Sequence, residues 1–330
     1  MREPDFWKTP PDAPGWRARL LSPLGYLYAQ ATHRRVAQEP GHRARVPVIC
    51  VGNINAGGTG KTPTTIALLQ HLSAKGLNPH VVSRGYGGSV EGPLRVNEMQ
   101  HRAAQTGDEP LLLAAFGPTW IAKDRAAGVR AAEADGADLI LLDDGFQNPG
   151  VHKDISIVVV DAKRGFGNGL CIPAGPLREP VTAGMKRADL CLTIGNATAQ
   201  DGFDATWGAQ VTVPRMRGEV RPLQMGMDWT GTPYFAFAGI AHPEKLFMTL
   251  KGLGATIAGT KALDDHQPLT PALLARLEAD AARLGAQLVT TEKDAVRLPP
   301  EFRAKVLTVP VRLEVEDWSS FDELLGRLTS

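Results

Sequence analysis

From Val46 onward, short continuous apolar runs alternate with stretches that carry helical spacing. Val48-Ile49-Cys50-Val51 predicts a buried strand, and the stretch from Pro63 to Lys75, closed by Gly76, predicts a helix. His80-Val81-Val82-Ser83 predicts a second strand, Ala122 to Asp135 a helix stopped by Gly136, and Ala137 to Asp143 a third strand. Ile155 to Asp161 and Leu190 to Ile194 read as two more. Strands that are apolar on both faces and separated by helices predict a parallel sheet covered on both sides.

The pattern weakens between residues 195 and 232, where Gly, Pro and Thr are scattered, and this places a boundary near 200. A second α/β set follows. Tyr234–Ile240, Ala255–Ala262, Ala286–Thr290 and Lys305–Val311 read as strands, and Pro243–Gly252, Thr270–Leu284 and Trp318–Leu328 as helices. Thr270 caps its helix with Pro271 at the first position. The expected organisation is an N-terminal segment over 1–40, a core over 41–200 and a smaller α/β lobe over 201–330, with a cleft between lobes. In the opening segment, Ser22-Pro23 reads as a cap and first helical residue, with Leu24, Leu27, Tyr28 and Ala31 at helical spacing. Trp16, Leu20 and Leu21 add apolar bulk, and Arg17, Arg19, His33, Arg34 and Arg35 add positive charge. Such an amphipathic element suits a bilayer interface. It equally suits a helix docked on the protein's own core.

Composition narrows the picture further. A net charge of +1 gives no whole-molecule attraction for nucleic acid, so none is expected as a partner. Cys50, Cys171 and Cys191 lie far apart without metal-ligand spacing, as reduced structural cysteines of a cytosolic protein do. There is no apolar run long enough to span a bilayer, and the opening Met1-Arg2-Glu3-Pro4-Asp5 lacks a secretory pattern, so a cytoplasmic protein is expected.

The most informative motif is Asn55-Ala56-Gly57-Gly58-Thr59-Gly60-Lys61-Thr62, between a strand and a helix. Small residues let successive backbone N–H groups face nucleotide phosphates; Lys61 supplies a point charge and Thr62 a hydroxyl for Mg²⁺. The helix that follows adds the positive end of its dipole. Asn55 stands where the strict pattern has glycine, yet the strand-before, helix-after context is that of a triphosphate loop. The apolar strand Leu139–Leu142 ends in Asp143-Asp144, where a carboxylate is placed to hold the Mg²⁺ shell.

Further polar clusters fall outside the periodic elements: Ser83-Arg84-Gly85-Tyr86-Gly87-Gly88, Gly107-Asp108-Glu109-Pro110, Gly145-Phe146-Gln147, Pro176-Leu177-Arg178-Glu179, Asp264-Asp265-His266 and Thr291-Glu292-Lys293-Asp294. Each has a bland reading as well: a helix cap for Asp108, a solvated turn for His266, a surface ion pair for Arg178 and Glu179.

Taken in order, these motifs resemble the tetraacyldisaccharide 4′-kinase family of the lipid A pathway, from the N-terminal segment to about residue 300. The resemblance implies an ATP- and Mg²⁺-dependent kinase with a P-loop NTPase-like parallel core. It implies transfer of the γ-phosphate to the 4′-hydroxyl of a tetraacylated glucosamine disaccharide 1-phosphate, giving lipid IVA. It further implies peripheral attachment of residues 16–35 to the cytoplasmic face of the bacterial inner membrane. By resemblance, Lys61 and Thr62 serve phosphate and Mg²⁺, Asp143 is the metal carboxylate, and Asp108 with His266 form a catalytic pair. Arg84, Asp144, Gln147, Arg178 and Glu179 fall on motif positions near nucleotide or acceptor. Two positions depart from the family pattern: Asn148 follows Gln147 where the family has His, and Gln267 follows His266. A regulatory GTPase or metallochaperone NTPase is the rival reading, but Glu292-Lys293-Asp294 lacks the gap that guanine recognition needs between Lys and Asp.

Overall fold

The structure is a computed structural model that describes residues 3–223, 226–265 and 267–329. Among the described residues thirteen strands form two sheets. In chain order they are β1 (Val48–Gly52), β2 (Pro79–Ser83), β3 (Leu94–Arg95), β4 (Thr119–Ile121), β5 (Leu139–Asp143), β6 (Ile155–Asp161) and β7 (Leu190–Ile194). There follow β8 (Arg215–Pro222), β9 (Pro233–Ala238), β10 (Thr256–Ala262), β11 (Gln287–Thr291), β12 (Val306–Val309) and β13 (Val311–Val315).

The larger sheet runs β13-β8-β7-β6-β1-β5-β2-β4-β3. Its interior is parallel, and only the edge pairs β13–β8 and β3–β4 are antiparallel. The central strands point alternate residues into two cores, as a two-sided sheet must. Val48 and Cys50 join one core with Ile140, Leu142, Val158, Phe166 and Trp207. Ile49 and Val51 join the other, against Leu68 and Leu72 of the helix Lys61–Ala74 and Phe321 of the helix Ser319–Thr329.

The smaller sheet, β10-β9-β11-β12, is wholly parallel. Phe235, Phe237, Leu274 and Leu277 pack one face, and Tyr234, Ala236, Leu246 and Leu250 the other.

Two features differ from the sequence expectation. Strands β8 and β13 arise within the segment 201–330, yet both hydrogen-bond into the larger sheet, so the smaller sheet occupies only the stretch between Pro233 and Val309. Strand β8 is half exposed and rich in arginine, so it carries no apolar run that would announce it. The N-terminal helix begins at Gly15 rather than at Pro23 and continues to Val36, with Pro23 inside it. A helical proline leaves the carbonyl four residues back without its donor. That carbonyl belongs to Arg19, and the Ser22 hydroxyl donates to it at 2.8 Å.

Among the described residues no helix is long and apolar enough to cross a membrane. Because Phe321 is fully buried against the core below β1, Phe321→Ala should destabilise the protein by about 3–5 kcal/mol. Urea denaturation would read this as a lower midpoint, and an unchanged midpoint would show that the helix Ser319–Thr329 does not belong to the core around Ile49 and Val51.

Candidate active site

Strand β1 sits between β5 and β6, with Val51 opposite Asp143 and Gly52 opposite Val158. The loops after these three parallel strands therefore open at one end of the sheet, where ligands of open α/β sheets bind. The glycine loop leaves β1 and turns into the helix Lys61–Ala74. Gly57 and Gly60 adopt φ of +108° and +101°, a conformation that side chains with a Cβ rarely enter. Asn53 braces the loop from beneath, its Nδ2 donating to Thr59 Oγ1 at 3.0 Å and to Gly57 O at 3.3 Å. Asn55 is buried and its Nδ2 donates to Gly165 O at 3.1 Å, so it fills its position as a cross-link to the loop after β6. Ala56 N donates to Pro176 O at 2.7 Å, fastening the same loop to the proline-rich segment.

Asp143 ends β5 and is buried. Its Oδ2 accepts from Ser83 Oγ at 3.1 Å, while Oδ1 makes no hydrogen bond among the described residues. Burial, reinforced by the nearby Glu109 carboxylate, pushes its pKa up to about 7 against the pull of Lys61. A buried carboxylate with one oxygen unclaimed, within the field of Lys61 at the start of the helix whose first turn carries the Thr62 hydroxyl, fits a Mg²⁺ that shares its shell with phosphate. Among the described residues no three His, Cys, Asp or Glu side chains gather into a metal cage, and a phosphate-bound Mg²⁺ does not need one.

Asp144 behaves oppositely. Burial works against its ionisation, but Lys61 and Arg178 outweigh that and hold its carboxyl below the usual range. It lies 3.7 Å from Lys61 Nζ and 3.1 Å from Arg178 Nη1. Its backbone has φ of +52°, unusual outside glycine, and its carbonyl is gripped by Arg125 Nη2 at 2.6 Å. From here a continuous network runs outward. Arg178 Nη1 donates to Gln147 Oε1 at 3.3 Å, Gln147 Nε2 donates to Glu179 Oε1 at 2.9 Å and to Asn53 O at 2.8 Å, and Arg187 Nη2 donates to both Glu179 oxygens at 2.6 Å. The structure thus joins Lys61, Asp144, Gln147, Arg178 and Glu179. Arg84 stays exposed at the end of β2, outside this network.

Asp108 opens the helix Asp108–Ala114, where its Oδ1 accepts from Glu109 N at 3.0 Å. It lines a cavity of about 280 Å³ with Tyr86, Gly87 and Gly107 from the first lobe and Pro268 and Arg297 from the second. The cavity therefore lies between lobes, and the second lobe reaches it with the segment that follows His266; His266 itself lies outside the described residues. Lys293 Nζ donates to Glu109 Oε1 at 3.1 Å and ties the lobes together beside Asp108.

Sequence reading missed Arg125, Arg164 and Arg187. Arg125 and Arg164 draw their roles from partners 19 and 78 positions away, and Arg187 reaches back eight positions to Glu179 across a turn, so no periodic motif marks any of them. At Asn148, Oδ1 accepts from Gly150 N at 2.8 Å and the carbonyl accepts from Lys153 Nζ at 2.6 Å, so this residue shapes the turn after Gln147.

The raised pKa of Asp143 has a stability consequence. The nucleotide-free fold binds the Asp143 proton more tightly than the unfolded chain, so this contribution is fully present below about pH 4 and is lost as pH rises through about 7. Asp143→Asn should raise the melting temperature of the nucleotide-free protein at pH 8 by several degrees and change it little at pH 4. Equal shifts at both pH values would refute the assignment.

Comparison with known proteins gives a consistent picture. The family model for tetraacyldisaccharide-1-P 4′-kinase (LpxK) matches residues 17–329. The tetraacyldisaccharide 4′-kinase of Dinoroseobacter shibae is 64% identical over 99% of this chain and 98% of its own length. That of Jannaschia sp. is 61% identical over 99% of this chain and all of its own. Among solved structures, Aquifex aeolicus LpxK in complex with ATP superposes with a TM-score of 0.75 at 23% identity, covering 96% of this chain and 100% of that one, so the fold is shared. This chain belongs to the tetraacyldisaccharide-1-P 4′-kinase family.

Proposed function

We propose that this protein transfers the γ-phosphate of ATP to the 4′-hydroxyl of an acylated glucosamine disaccharide 1-phosphate, producing lipid IVA and ADP. The observation that carries this reading is the register of β1 with β5. It sets a phosphate loop beside a buried carboxylate that keeps one oxygen unclaimed.

In the reaction the acceptor oxygen bonds to the γ-phosphorus, the bond from that phosphorus to the β–γ bridging oxygen breaks, and the hydroxyl proton passes to a base. The loop amides and Lys61 neutralise the phosphate oxygens, which is where most of the acceleration of phosphoryl transfer resides. Thr62 and Asp143 would hold Mg²⁺, whose positive charge supports the developing charge on the phosphates. Asp144 keeps Lys61 and Arg178 within reach of the same anionic region. Asp108, at the inter-lobe cleft, orients His266, and the imidazole removes the hydroxyl proton; a histidine is suited to this near neutral pH.

The rival GTPase reading fares worse on the residues that would read guanine. Lys293 is engaged with Glu109. Asp294 is buried and accepts from Gly239 N at 3.0 Å, Thr291 Oγ1 at 2.8 Å and Arg297 Nη1 at 3.2 Å. Asp294 is occupied in building the second lobe, and Lys293 in tying it to the first.

The acceptor is met at a membrane surface through residues 16–35, with the protein peripheral to the cytoplasmic face of the inner membrane. Ala18, Gly25, Ala29 and Thr32 pack inward, whereas Trp16, Leu20, Leu24 and Leu27 are 70%, 70%, 52% and 63% exposed along the opposite side. Arg17, Arg19, Arg34 and Arg35 are also exposed, an arrangement that suits an anionic bilayer.

Incubation with labelled ATP, Mg²⁺ and the tetraacyl disaccharide 1-phosphate in detergent, followed by thin-layer chromatography, should yield a phosphorylated lipid; no labelled lipid would sink the reading. Asp108→Ala should lower kcat by about 10²–10⁴ while ATP binding persists, and unchanged turnover would remove Asp108 from the mechanism. Trp16→Ser with Leu20→Ser should weaken co-sedimentation with anionic vesicles by about tenfold or more without altering ATP affinity.

A further inference from the structure

A second charged cluster stands at the mouth of the glycine loop. Glu3 extends its carboxylate toward Gly57, such that a Cβ placed on that glycine would lie 2.9 Å from Glu3 Oε1 and 3.9 Å from Arg164 Nη1. Glu3 Oε2 accepts from Arg164 Nη2. Arg164 Nη1 also faces His242 Nε2 at 3.2 Å. A guanidinium only donates, so that nitrogen is the acceptor. His242 Nδ1 in turn faces Glu244 Oε1 at 3.2 Å.

Arg164 follows β6, the neighbour of β1, and the next residue takes the Asn55 hydrogen bond through Gly165 O. The N-terminal segment is tied down beside it. Asn168 N donates to Trp7 O at 3.0 Å, Asn168 Nδ2 donates to Phe6 O at 3.0 Å, and Trp7 Nε1 donates to Pro173 O at 3.0 Å. A carboxylate is thereby held against a loop of the phosphate-binding kind and on a guanidinium within reach of that loop. Guanidinium groups match phosphate as well as they match carboxylate. Two anions cannot share so small a space without strong repulsion.

We propose that Glu3 is an internal stand-in for nucleotide phosphate: it holds Arg164 at the loop mouth in the nucleotide-free protein, and an arriving nucleotide displaces it and takes over Arg164. Arg164 is then a phosphate-binding residue. Residues 3–9 lose one anchor whenever the loop is filled, and by reciprocity whatever loosens that segment tightens nucleotide binding. The proposal rests on the kinase reading only in requiring that the loop bind nucleotide.

The test is calorimetric titration of the full chain with a Mg²⁺-bound, non-hydrolysable ATP analogue. Glu3→Gln keeps the shape and removes the charge, and should lower Kd by about three- to tenfold. Arg164→Ala should raise Kd by about tenfold or more, and in the double variant the gain from Glu3→Gln should vanish. Hydrogen exchange at amides of residues 5–9 supplies a readout that a purely structural role would not move. It should speed up on adding the analogue to the wild-type protein, and already be fast in Glu3→Gln. Unchanged or weaker binding by Glu3→Gln, or wild-type affinity in Arg164→Ala, would overturn the latch while leaving the kinase reading intact. Failure of the wild-type chain to bind the analogue would overturn both.

Discussion

The site depends on one constraint, the parallel pairing of β1 with β5 and β6 at the centre of the larger sheet. Parallel strands in register deliver their carboxyl ends to one edge, and three loops of opposite charge character meet there. The loop after β1 is rich in glycine and ends in Lys61, the end of β5 carries two carboxylates, and the turn after β6 brings an arginine. Were the register between β1 and β5 to slip by one residue, Asp143 would turn to the other face of the sheet and the site would be lost.

Asp143 and Asp144 show how environment separates neighbouring groups of the same chemistry. Asp143 sits within the sheet, where burial favours its proton, and Ser83 is the one side chain that the described residues offer it as a donor. Asp144 has left the strand through a left-handed turn and meets Lys61 and Arg178, so it stays ionised. The first keeps one oxygen unclaimed among the described residues, and the second is paired with two cationic side chains. Arg125, buried behind them, clamps the carbonyl that makes this turn possible.

The second lobe contributes position more than charge. Lys293 reaches across to Glu109, Lys245 Nζ donates to Asp161 Oδ2 at 2.8 Å, and Arg312 Nη1 donates to Glu292 Oε2 at 2.7 Å. The first of these contacts sits beside Asp108, which lines the cleft. Val296 of the second lobe also packs against the apolar clusters that hold Leu111 and Leu112, so polar pairs and apolar contact together join the lobes.

The sequence by itself determined the parts whose physics is local. Continuous apolar runs marked β1, β2, β5, β6 and β7, because a strand buried on both faces needs no partner to be recognised. The glycine loop was legible because positive φ and close phosphate approach demand small residues at fixed spacing, and Asp143 because it closes an apolar run. Only the tertiary structure decided what arises from residues far apart. It carried β8 and β13 back to the larger sheet, extended the N-terminal helix through Pro23 by means of the Ser22 hydroxyl, and joined Asp144, Arg178, Gln147, Glu179 and Arg187 into one network. It also set Glu3 against Gly57. A charge pair between residues more than a hundred positions apart leaves no periodicity in the chain, since its energy depends on a distance that exists only after folding.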